Sequence, residues 1–159
     1  MLQRISVLII IFLFCSCDSN GVFDEYKSTP NIWHKDQSIN FKIEVPDTIN
    51  AYNLFINFRN NGEYPFNNLY LITEMNFPNH SKVTDTLEYE MAEANGEWLG
   101  QGFSDVKESK LWYKENVRFP IMGTCEIKIS HAMRENGSVL GVETLDGVTD
   151  VGFRIEKIK

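Results

Sequence analysis

The chain has 159 residues and carries 22 acidic against 15 basic side chains, a net charge of −7 at neutral pH. That length supports one domain with its own core, and the acidic balance argues against nucleic acid and anionic lipid headgroups as ligands. Three cysteines, two of them near the N-terminus, supply no disulfide framework.

The first element is a targeting segment. Arg4 gives a short positive start, Val7 to Phe14 is an unbroken apolar run, and Cys15-Ser16-Cys17 closes it with small residues. The order is that of a secretory signal peptide, and the run is shorter than the roughly 20 residues a spanning helix needs. A small residue directly before cysteine resembles the lipobox of bacterial lipoproteins, which implies removal of residues 1–16 and acylation of Cys17. Cys15 is the poorer acceptor because bulky Phe14 precedes it. Several acyl chains, at about 0.8 kcal/mol per buried CH₂, make such an anchor effectively permanent. The mature chain would retain 14 basic against 22 acidic residues, a net charge of −8.

Residues 17–30 mix Ser, Asn, Gly, Asp, Glu and Lys with little apolar periodicity and read as the lipidated N-terminus and a tether, leaving residues 31–159 as the folded domain. From Ile39 the period becomes two. Ile39 to Val45 alternates without a fault, the pattern of a strand with one buried face. Further strands are predicted at Tyr52 to Phe58, Asn68 to Phe77, Thr84 to Met91, Glu97 to Phe103, Lys110 to Phe119, Thr124 to Ser130 and Val148 to Ile158. Asn60-Asn61-Gly62, Asn95-Gly96 and Asp146-Gly147 read as turns between them. At most one short helix is expected, over Ser130 to Glu135. About eight strands with no helices to cover them must cover one another, so the predicted fold is all-β. It is an antiparallel β-sandwich, jelly-roll-like or immunoglobulin-like.

No catalytic constellation emerges. His34, His80 and His131 lie far apart without partners at metal-ligand spacing, and no nucleophile elbow, HExxH pair or phosphate loop is present. No enzyme, metal site or cofactor is therefore expected. Cys125 alternates in phase with Ile127 and Ile129 and reads as a buried structural thiol. Trp33, Trp98 and Trp112 keep a second function class open, a lipid-anchored glycan-binding sandwich stacking aromatic faces on sugars.

Words spaced through the whole domain carry a more specific signal. They include Ile32-Trp33-His34-Lys35-Asp36, Phe58-Arg59-Asn60-Asn61, Tyr64-Pro65-Phe66-Asn67-Asn68-Leu69-Tyr70, and Gly96-Glu97-Trp98-Leu99-Gly100-Gln101-Gly102. His131-Ala132-Met133-Arg134 and Leu145 to Glu156 complete the series. With the lipobox, this order resembles the GldH family of gliding-motility lipoproteins. The resemblance implies a noncatalytic envelope lipoprotein supporting assembly or stability of the gliding and type IX secretion machinery. It brings no catalytic residues, and it implies other envelope proteins of that machinery as partners. An outer-membrane location is expected.

Within these words, Tyr64, Phe66, Tyr70, Trp98 and Arg134 are candidates for a partner surface, since turn-borne aromatics and Arg are enriched at interface hot spots. Asp47-Thr48-Ile49 and Asp85-Thr86-Leu87 are similar to a bacterial O-glycosylation acceptor, which makes Thr48 and Thr86 candidate modification sites.

Overall fold

The computed structural model describes residues 20–102 and 104–158, so the signal peptide and Cys17 lie outside the described residues. The described residues form eight strands: β1 Gly21–His34, β2 Ile39–Glu44, β3 Tyr52–Asn60, β4 Asn68–Asn76, β5 Lys82–Glu90, β6 Lys107–Val117, β7 Thr124–His131 and β8 Thr144–Lys157. They pair antiparallel in two four-stranded sheets, β1-β8-β3-β6 and β2-β7-β4-β5. Every connection except the β4–β5 hairpin crosses from one sheet to the other. This strand order is the jelly roll, one of the two sandwich forms the sequence left open.

The sheets bury one face each because their strands alternate. In β2, Ile39, Phe41 and Ile43 are buried while Asn40, Lys42 and Glu44 face solvent. Opposite them, Leu54, Ile56 and Phe58 of β3 and Val151, Phe153 and Ile155 of β8 complete the core. Phe41 and Phe153 meet across it with ring centroids 6.1 Å apart. Cys125 is fully buried within this layer, as the alternation predicts, and burial pushes its thiol up to about 11.

Two expectations from the sequence give way. The segment read as a tether is, from Gly21, the N-terminal half of edge strand β1, paired along its length with β8 from Gly21↔Glu156 to His34↔Thr144. Its mixed polar composition reflects an edge exposed on much of both faces, with a register shift spanning Pro30, whose ring cannot serve a ladder hydrogen bond. The stretch read as a strand over Glu97 to Phe103 is not one as far as Gly102, and Phe103 lies outside the described residues. Trp98 and Gln101 make only isolated bridges, to Ala92 and Glu108. The sequence allowed at most one short helix, over Ser130 to Glu135, and the described residues there form none. Ser130 and His131 finish β7, Ala132 donates its N–H to the Tyr70 carbonyl at 2.8 Å, and Arg134 bridges to Gly141. No helix occurs among the described residues.

The register gives the sandwich two distinct ends. Gly21 lies beside Glu156, Tyr52 beside Lys157 and Val117, and Glu44 beside Thr124. The chain therefore enters at the end that also carries loops 45–51, 77–81 and 118–123. This is the proximal end. At the opposite, distal end, Asn60 lies beside Lys107 and Val148, and Asn68 beside Glu90. There the loops 61–67, 91–106 and 132–143 emerge together.

Candidate functional site

The distal loops form the most elaborated surface of the molecule. The β3–β4 loop is fixed first. Glu63 N–H bonds to Asn61 Oδ1 at 2.9 Å, and Asn61 N–H reaches the Gly147 carbonyl at 2.8 Å. Gly147 sits at φ +74°, and a Cβ there would fall 2.2 Å from Tyr64 N. Only glycine lets β8 approach the loop this closely. The sequence read Asp146-Gly147 as a turn ahead of the last strand; the two residues instead lie within β8, which begins at Thr144.

Tyr64 is thereby pressed inward. It is buried against Phe58, with centroids 5.5 Å apart, and its hydroxyl donates to the Asn68 carbonyl at 2.7 Å. Burial alone pushes its phenol well above the ordinary value. Tyr64 is therefore not an exposed partner residue, which corrects the sequence expectation. It is the support on which two of the other candidates rest. Phe66 and Trp98 pack on Tyr64 with centroid distances of 6.1 and 5.9 Å, and both remain partly exposed.

The remaining two candidates come from neighbouring strands. Tyr70, on β4, accepts the Ala132 N–H at its carbonyl, while its N–H meets Met133 Sδ at 3.1 Å. Its hydroxyl donates to Glu88 on β5, so its ring lies on the outer face of the second sheet and not in the loop cluster. Arg134 is exposed in the β7–β8 loop, and its side chain has no ion-pair partner among the described residues. The fold thus assembles Tyr64, Phe66 and Trp98, places Arg134 in an adjoining loop, and sets Tyr70 on a different face.

Sequence reasoning missed the aliphatic part of this end. Val139 and Leu140 are 86% and 79% exposed, and Leu99 stands out beside Trp98. Phe66 and Leu140 line the same open cleft of about 450 Å³, together with Glu135, Ser138 and Val142. A second open cleft, about 470 Å³, runs past Trp98 between Asn61, Glu63, Asp105 and Lys107. Aromatics held on a rigid base, aliphatics projecting beside them and charges around the edge form an apolar centre with a polar rim. Exposed valine and leucine in a loop leave no periodic signature, so only the topology reveals that their loop emerges at the same end as Phe66 and Trp98, with Leu140 in the Phe66 cleft.

Other features resolve differently. Trp33 is fully buried and donates its indole N–H to the Gln37 carbonyl at 2.7 Å; His131 packs edge-on against it. Burial lowers the His131 pKa below its ordinary value. Trp112 is half-exposed on the outer face of the first sheet, 4.4 Å by centroid from Phe55. That face is also ordered. Arg59 stacks 4.0 Å over the Tyr26 ring and bonds Glu108 Oε2 at 2.6 Å, and Asn57 donates to the Tyr26 hydroxyl at 2.9 Å. Thr48 is exposed in the β2–β3 loop and Thr86 is exposed on β5. Among the described residues, no group of three or more His, Cys, Asp or Glu side chains is placed to hold a metal ion.

Comparison with known proteins agrees with the sequence resemblance. A protein named "Gliding motility lipoprotein GldH homolog" from Christiangramia forsetii is 55% identical over 160 residues, spanning 99% of this chain and 98% of the relative. "Gliding motility lipoprotein GldH" of Flavobacterium johnsoniae is 52% identical over 151 residues, 95% of this chain and 94% of the relative. Among solved structures, the infectious bursal disease virus VP2 subviral particle aligns with a TM-score of 0.39 at 12% identity, covering 89% of this chain and 34% of that one. The family described as GldH lipoprotein matches residues 21–155, the folded domain from its first strand almost to its last residue, and this chain belongs to it.

Proposed function

We propose that the protein is a noncatalytic lipoprotein of the gliding machinery, anchored through Cys17, that holds a protein partner at its distal loops. The names of its relatives, gliding motility lipoprotein GldH and a homolog of it, support a motility role. One observation carries the partner assignment: the exposed apolar and aromatic loop cluster stands at the opposite end of the sandwich from the acylated terminus. A 14-residue β1 running the length of the domain separates the two. At about 3.3 Å per residue, that strand holds the distal loops roughly 40 Å from where the chain enters. The partners are other envelope proteins of the gliding and type IX secretion apparatus, whose assembly or stability this domain supports, and the anchor lies in the outer membrane.

The test is mild-detergent co-purification of the tagged, lipidated protein from its own cells, read by mass spectrometry. Gliding or secretion envelope proteins should be recovered with wild type and lost with Cys17→Ala. Recovery of glycan-handling proteins instead would favour the second reading, a glycan-binding sandwich. The observation on that side is the open face of Trp112. It predicts polysaccharide binding that Trp112→Ala abolishes. Thr86 stands clear of both ends as a candidate for O-glycosylation.

A further inference from the structure

The proximal end carries its own set of exposed apolar side chains. Ile49, in the β2–β3 loop, is 79% exposed; Ile121 and Met122 project from the β6–β7 loop; Ile158 follows β8. These three segments are neighbours. Val45 N–H bonds the Gly123 carbonyl at 3.0 Å, joining the first loop to the second, and Ile158 lines one cleft with Asn50, Ala51 and Asn116.

Ile49 is also displayed by a built turn. Asp47 Oδ1 accepts the backbone N–H groups of Ile49 and Asn50 at 2.9 and 2.7 Å, while Oδ2 accepts the Asn50 amide and the Tyr52 hydroxyl at 2.8 and 2.5 Å. The turn spends a fully engaged carboxylate on holding an isoleucine out in water, where it gains nothing. Its four hydrogen bonds, led by that from Tyr52, hold the Asp47 carboxyl well below the usual carboxylate range.

We infer that Ile49, Ile121, Met122 and Ile158 form a rim that inserts into the lipid surface and sets the domain upright on the membrane. The inference rests on the reading that Cys17 is acylated. Only four residue steps separate Cys17 from Gly21, a reach of at most about 14 Å even fully extended. Gly21 lies beside Glu156, so the start of β1 and Ile158 share this end. A domain held that close to the bilayer brings these loops to headgroup level, and apolar side chains there bury about 5–10 Å into the acyl boundary. The occupant is lipid and not protein because the exposed apolar side chains are isoleucine and methionine, without an exposed Trp or Tyr among them. The one Arg of these loops, exposed Arg118, is a long cation that reaches headgroup phosphates from beside Ile121 and Met122. Apolar burial is the driving force, which is compatible with the acidic balance of the chain.

The experiment uses the full lipidated protein in neutral phosphatidylcholine–phosphatidylethanolamine vesicles containing doxyl-labelled lipid. Bimane is placed in turn at Ile49→Cys, Met122→Cys and Val139→Cys. The buried, weakly acidic Cys125 thiol does not compete for label. The rim predicts quenching at positions 49 and 122 at least threefold that at 139. Equal quenching at all three, in protein whose intact mass includes the acyl chains, overturns the rim while leaving the anchor standing. A mass without acyl chains overturns both. A glycan mass on Thr48, beside Ile49, overturns the rim as well, because a hydrated sugar there holds the loop off the bilayer.

Discussion

Tyr64 shows how far single residues can be read. Its position in a turn word suggested an exposed side chain, whereas a close backbone approach five strands away in sequence decides its burial. Gly147 makes that approach. Gly147→Ala would add a Cβ against Tyr64 N in a left-handed conformation, and it should cost about 3 kcal/mol or more. Gly62→Ala, with nothing within 4 Å of its added Cβ, should change stability by no more than about 0.5 kcal/mol. Urea unfolding of the two variants checks the contrast. Equal midpoints would mean that the β8 contact does not hold the loop. Nothing in the sequence around Gly147 marks the partner it touches, because the contact is long-range and made by backbone.

At the scale of elements, strands that bury one clean face were legible. β2 and β7 follow the alternation of Ile39 to Val45 and of Cys125 to Ile129 almost residue for residue. β3 departs from alternation where the outer face is itself covered. Phe55 is shielded by Trp112, with Lys110 Nζ lying 4.0 Å over its ring, and Asn57 is buried beside Tyr26. β1 was missed because an edge strand exposed on both faces has no buried stripe to betray it. Glu97 to Gly102 misled for the converse reason: Trp98 and Leu99 serve a loop cluster. Hydrogen exchange separates a paired strand from a tether. In β1, about every second amide of residues 23–28, those facing β8, should be strongly protected, with the alternate amides exchanging freely. Uniformly fast exchange across the segment would restore the tether.

At the scale of the molecule, the sequence carried the sandwich, the family resemblance and the aromatic part of the candidate surface. Val139, Leu140 and Leu99 became visible only when topology brought three loops to one end. The same topology divides the exposed apolar residues that lie outside the strands between the two ends. Ile49, Ile121, Met122 and Ile158 sit at the end where β1 begins, and Leu99, Val139 and Leu140 sit in the loops of the far end, Leu99 next to Trp98 in the chain and Leu140 sharing a cleft with Phe66. On the proposed reading, lipid lies below the domain and protein above it, and the partner meets the end farthest from the anchor.

The most direct test of that arrangement is a comparison of two double variants in the organism's own cells. Val139→Asp with Leu140→Asp alters only exposed loop positions, so stability should hold to within about 0.5 kcal/mol. At wild-type abundance and with normal membrane association, this variant should lose co-purifying gliding or secretion envelope proteins by at least tenfold. Ile49→Asp with Met122→Asp, at the same abundance, should retain them. Retention of the partners by the distal variant, or their loss only from the proximal one, would contradict the assignment of the distal loops as the partner surface.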